Sequence, residues 1–243
     1  MLYREAHVDK FLSHYGEFVT YALNFHDLLR LPDDTEGRLY ELSKQLKVLG
    51  KELLGGEIVK LKKPMKVGSK TYTYILHEND RLVPLPYLSS GKQELIPIVL
   101  AVQLASSLLS WTDSLLRDQL LVIEEPESHV SPAVQLDMMN MILSPFEYVF
   151  EEEYKSHGLS ALRYVITTHS PYVISAINLK LKQWDVLGLL KDRQKTMVSA
   201  YEIKDGKALL TIDDEGLIDA KSFDEVANEV AEKLWQLYRD QES

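Results

Sequence analysis

Two segments of the chain share one design, and it constrains the fold more than any other feature. In "LLVIEEPESHVSP" (120–132) an apolar run ends in glutamates, and Ser131-Pro132 follows. In "YVITTHSP" (164–171) an apolar run ends in Thr167, Thr168 and His169, and Ser170-Pro171 follows. A short continuous apolar run suits a strand buried on both faces. Ser-Pro supplies an N-cap and a first helical residue whose missing N–H would be unbonded anyway. Between the two lies "AVQLDMMNMIL", which continues as helix, with its methionines as core filler. Strand, helix and strand of this length make a βαβ unit, so the class is α/β with the two strands parallel. Ligands of such sheets bind beyond the carboxyl ends of the strands. Glu124 and Glu125 at one end, with Thr167, Thr168 and His169 at the other, are therefore expected to face one crevice.

The flanking segments are helical and then extended. Phe11, Tyr15, Phe18, Ala22, Phe25 and Leu29 repeat at heptad spacing, and Leu39, Leu42, Leu46, Leu49 and Leu53 do so again after the breaker "LPDDTEG". Residues 1–56 are thus expected to form a helical hairpin, either plain core packing or the root of a longer coiled arm. Gly55 and Gly56 suit its C-terminus. Residues 57–86 read as strands, with "TYTYILH" rich in β-formers and "ENDR" as a turn. In "YLSSGKQELIPIVLAVQL" a helix begins. Ser90 with Gln93 fits a capping box, and Ser89 is a second cap candidate. Gly91 allows close approach to the backbone. Pro97 should bend the helix or delay its start. The acidic run at 151–153 suits a solvated helix end. The tail reads as short strands over 184–213 around "KDGK". A capping box at Ser222 and Glu225 follows, then an amphipathic helix on Val226, Val230, Leu234 and Leu237.

Charge is uneven. The 243 residues carry 27 Lys plus Arg against 37 Asp plus Glu, a net −10. That balance does not mark the whole chain as a nucleic-acid binder. Residues 44–70, however, hold eight lysines against Glu52 and Glu57, a local +6. Such a patch can meet the phosphates of DNA, or it can be a solvated lysine face. There is no cysteine, which excludes disulfides and thiolate metal sites. No apolar run approaches the roughly 18 residues of a membrane span, and "MLYREAHVDKFL" lacks the layout of a secretory signal. The cytoplasm is the expected compartment.

The residue types at the strand ends point to phosphate chemistry. A carboxylate there can hold Mg²⁺, a hard cation that takes oxygen ligands. The next carboxylate can polarise a water if it lies within hydrogen-bond reach. A neighbouring histidine can donate to a phosphate. The helix start in "LSSGKQE" offers amides and hydroxyls to an anion.

Taken in order, "YLSSGKQE", "LLVIEEPESH" and "YVITTHSP" resemble the C-terminal half of an ABC-type ATPase. The nearest branch is that of the OLD (overcoming lysogenization defect) nucleases and the related abortive-infection ATPases. The resemblance covers residues 86–180 well and the tail loosely. It implies a P-loop NTPase-like fold, with the ATPase lobe over 57–243. It makes residues 88–94 the signature motif, with Ser89 and Gly91 on the γ-phosphate of a nucleotide held by the opposite subunit. Ser90, Lys92 and Gln93 fall in the same motif. It makes Glu124 the metal carboxylate, Glu125 the catalytic glutamate and His169 the switch histidine. Ser128 and His129 fall in the D-loop near a dimer seam. ATP and Mg²⁺ are the implied cofactors.

The chain departs from that pattern at Glu124, where an aspartate is usual, and at Ser90, where glycine is. The larger departure is that the phosphate-gripping loop GxxxxGK[ST], the Walker A motif, does not occur in it. The expectation is that Met1 falls inside a split or truncated ATPase. A partner lobe would then bring Walker A, and homodimers or hetero-oligomers would form through an ATP sandwich. A nuclease or effector would be the coupled partner, in DNA processing or anti-phage defence. The alternative is a non-hydrolysing dimerisation or regulatory module, a degenerate scaffold. A third reading, an unrelated α/β domain, would place Glu125 and His169 on opposite faces of the sheet.

Overall fold

The computed structural model describes residues 38–109, 118–151, 161–188 and 198–219. The expected helix over 11–29, the 31–37 breaker, Glu152 and Glu153, and the C-terminal helix lie outside the described residues. Two compact units divide at His169/Ser170.

In the first unit, helix α1 (Arg38–Leu54) buries Leu42, Leu46 and Leu54. It packs on the two helices described next. Its end is a Schellman motif: Gly55 N–H donates to Glu52 C=O and Gly56 N–H to Lys51 C=O. Gly55 sits at φ +65°, the left-handed region where glycine carries no Cβ penalty. Strands β1 (Glu57–Val67), β2 (Lys70–Glu78) and β3 (Arg81–Pro84) then form an antiparallel meander in that order. Asn79 and Asp80 both have positive φ and close the expected "ENDR" turn. Pro64 lies where the β1–β2 register shifts between Lys60 and Met65, a bulge on an edge strand that tolerates its missing N–H.

A short 3₁₀ turn (Leu85–Tyr87) leads into α2 (Ser90–Leu109). The helix runs through Pro97 from its start at Ser90, so the proline does not delay it. Strand β4 (Asp118–Glu124), helix α3 (Pro132–Glu151) and strand β5 (Ala161–Thr167) are the βαβ unit. The two strands pair in parallel, from Asp118 opposite Ala161 to Glu124 opposite Thr167. Met138, Met139, Met141 and Ile142 of α3 are fully buried. The expectation that β4 is buried on both faces is corrected. Side chains alternate across a strand. Ile123 is 6% exposed, whereas Leu120 and Val122 on the other face are 64% and 53% exposed.

In the second unit, α4 (Pro171–Val186) starts as expected. Ser170 Oγ accepts from the N–H groups of Tyr172 and Val173, and Pro171 is the first helical residue. The helix extends through Val186, so the strands of the tail begin later than 184. They are β6 (Tyr201–Lys204) and β7 (Lys207–Leu210), a hairpin closed by Asp205 and Gly206 at positive φ. Asn178 of α4 clasps Ile218, donating to its C=O and accepting from its N–H.

Candidate functional site

Strand β4 delivers Glu124 to the sheet end beside Thr167, and the chain turns sharply at the next residue. Glu125 stands at φ +43°, a conformation that costs a non-glycine residue about 1–2 kcal/mol. Its N–H holds the turn to β5 by donating to Thr167 C=O at 2.9 Å, with Thr167 Oγ1 at 3.3 Å. The consequence is a meeting of side chains: Glu125 Oε1 lies 3.3 Å from His169 Nε2. Both groups are open to solvent, at 54% and 85% exposure. The pairing of Glu125 with His169 rules out the arrangement on opposite faces of the sheet.

The turn after Glu125 is built from two backbone bonds, Ser128 N–H to Glu125 C=O and Val130 N–H to Glu127 C=O, both 3.0 Å. His129 sits at φ +58°. Glu127 ties this turn to the other strand end: its Oε1 accepts from the His169 N–H at 2.6 Å. Its Oε2 is buried with no hydrogen-bond partner. Sequence reasoning passed over Glu127, because a third glutamate after a proline gives no local signal of a bond to a histidine backbone so far along the chain.

The segment expected to be the signature abuts this turn. A Cβ on Gly91 would stand 2.6 Å from the His129 carbonyl oxygen, so only glycine fits without a shift. The cap is Ser89, whose Oγ accepts from Lys92 N–H at 3.4 Å. Ser90 is the first helical residue and not the cap, because the helix starts one position earlier than the Ser90–Gln93 box requires. Gln93 accordingly turns back and donates to Leu88 C=O at 2.8 Å and Pro86 C=O at 3.2 Å. Lys92 is engaged elsewhere: its ammonium lies 2.7 Å from Glu78 Oε1 of β2, with both side chains largely covered. That hydrogen bond holds the Glu78 carboxyl below its ordinary value.

The fold thus brings Gly91, Glu124, Glu125, Glu127, Ser128, His129 and His169 to one end of the β4–β5 pair, with Ser89 at the adjoining helix start. Among the described residues no three acidic or histidine side chains form a ready metal cage. Two exposed carboxylates at a strand end instead suit a cation such as Mg²⁺. That ion keeps most of its water and takes one or two protein carboxylates plus phosphate oxygens.

Strand β4 ends in Glu124 and its parallel partner β5 in Thr167, with a capped helix start nearby, an arrangement consistent with an α/β domain of the P-loop NTPase-like AAA kind. Residues 2–175 match a family model described as "AAA domain, putative AbiEii toxin, Type IV TA system", and the chain belongs to that family. No curated protein sequence matches it. Among the described residues no helix is long and apolar enough to cross a membrane.

Proposed function

We propose that the chain is the catalytic half of an ABC-type ATPase of the OLD and abortive-infection branch, completed by a lobe that carries Walker A. The observation that carries this reading is the 3.3 Å approach of Glu125 to His169 at adjacent parallel strand ends. Glu125 is the general base: exposed and acceptor-rich, it takes the proton of a water attacking the γ-phosphate. His169 stands beside Glu125, and its one ring N–H turns from that carboxylate to donate to the transferring phosphate when nucleotide binds. Glu124 would hold Mg²⁺ together with phosphate oxygens, and that ion neutralises phosphate charge when bound. Ser89 and the N-terminal amides of α2 receive the γ-phosphate of a nucleotide on the opposite assembly. Ser128 and His129 border that seam. Two assemblies then enclose two ATP molecules.

The toxin–antitoxin terms in the family description support coupling to a defence effector. Absence of GxxxxGK[ST] from the sequence favours one competing reading, a non-hydrolysing dimerisation or regulatory scaffold. Sedimentation of the lobe-complemented chain separates the two. Removing the base by Glu125→Gln leaves every phosphate-binding group in place, so ATP and Mg²⁺ should trap a stable dimer that the parent forms only transiently. A parent and variant with identical, ATP-independent sedimentation would support the scaffold instead.

A further inference from the structure

Away from the strand ends, α1, the β1–β2 hairpin and α2 enclose a cleft of about 450 Å³. Its floor is apolar, with Leu54, Val99 and Leu100 all buried. Its walls carry Lys47 and Lys51, one turn apart on α1, and Lys60 with Tyr74, partners across the β1–β2 ladder. The Lys60 ammonium lies over the Tyr74 ring, 5.7 Å from its centroid, so a base takes that face as the ammonium turns to a phosphate. One acid shares the cleft: Glu57, whose carboxylate is 3.9 Å from Lys51 and well exposed. An exposed contact of that length neutralises Lys51 weakly. The same elements carry further lysines outside the cleft lining: Lys44 on α1, Lys62, Lys63 and Lys66 on β1 and Lys70 at the start of β2 are all exposed.

We propose that this cleft binds one nucleotide unit of a single nucleic-acid strand, with the base against Tyr74 and the apolar floor and the phosphates on Lys47, Lys51 and Lys60. Three features select that partner. The chain is acidic as a whole, at −10, so its net field opposes an indifferent attraction of polyanions, and the +6 of residues 44–70 stands against that field. A purely ionic surface would need no apolar floor, whereas a base does. The volume falls in the range of small-ligand pockets and admits one nucleoside, while a duplex, whose bases are stacked inside, could reach only the rim. Stacking on an aromatic face accepts any base, so sequence preference is weak. The proposal gives the expected contact of residues 44–70 with DNA a definite place and strandedness, and it does not depend on ATP hydrolysis.

The test is fluorescence anisotropy of labelled mixed-sequence DNA, single-stranded or duplex, titrated with the full chain. The two phosphates that flank one nucleotide unit give a slope of log K against log salt of about −1.4, roughly a sevenfold loss between 50 and 200 mM salt. Lys47→Ala/Lys51→Ala/Lys60→Ala should flatten that slope and abolish most of the binding. Tyr74→Leu should weaken binding severalfold at an unchanged slope, and Tyr74→Phe, which keeps the ring and guards against a folding defect, should bind like the parent. Duplex bound as tightly as single strand, a triple variant with undiminished affinity, or no single-strand binding by the parent would overturn the proposal.

Discussion

Gly91→Ala is a sharp test of how the α2 start and the turn after β4 fit together. The added methyl would lie 2.6 Å from the His129 carbonyl oxygen, about 0.8 Å inside the 3.4 Å at which ordinary contact begins. Its neighbour is backbone, held by the Ser128 and Val130 hydrogen bonds on either side, so it cannot swing away as a side-chain tip would. Overpacking of this kind costs about 1–3 kcal/mol. Against it stands the helix preference of Ala over Gly, at most about 1 kcal/mol and less in a first turn. Gly91 does not have positive φ, so no backbone strain enters. The net expectation is a loss of about 1–2 kcal/mol, which for a chain of this size lowers Tm by roughly 2–8 °C. Circular dichroism melting reads it directly. An unchanged or raised Tm would mean that helix propensity outweighs the contact and that the two segments are not packed as described.

Other expectations follow from single groups. Tyr164 packs edge-on against Phe146, its hydroxyl is buried without a partner, and burial pushes its pKa up; Tyr164→Phe should therefore raise stability by about 1 kcal/mol in urea titration, and a clear loss would reveal a partner for the hydroxyl. Glu127→Ala removes both the bond to His169 N–H and an unpartnered buried oxygen, so its effect on global stability should be near 1 kcal/mol or less, while exchange of the His169 amide should accelerate about tenfold or more by hydrogen–deuterium NMR. Unchanged exchange there would contradict the clamp. Because Lys92 lowers the Glu78 pKa below its ordinary 4.5, the stabilisation from that pair is full above 4.5 and is lost as pH falls through the lowered value. Lys92→Met should remove that part of the acid-limb slope, and an identical slope in the variant would dismiss the pair as a contributor.

Much of the frame was legible because its signals are local. Ser-Pro fixed the starts of α3 and α4, paired glycines ended α1, and Asn79-Asp80 closed a hairpin, each through backbone conformations that few residues accept. The parallel pairing of β4 with β5 followed from the length of the connection. What escaped depends on contacts between distant segments. Glu127 reaches the His169 backbone, Lys92 is drawn to Glu78, and the His129 carbonyl fills the space that Gly91 leaves. The exposure of Leu120 and Val122 escaped for a related reason: an unbroken apolar run does not say which face a neighbour covers.

We propose Glu125, placed by its left-handed turn against His169, as the base of an ATPase. Its most direct test is steady-state phosphate release from ATP and Mg²⁺ by the chain joined to a Walker A lobe of its own family, beside the same assembly with Glu125→Gln. Turnover that falls about 10²–10⁴-fold in the variant is the predicted result. Equal rates in the two assemblies, or no turnover in either despite bound ATP, would contradict it.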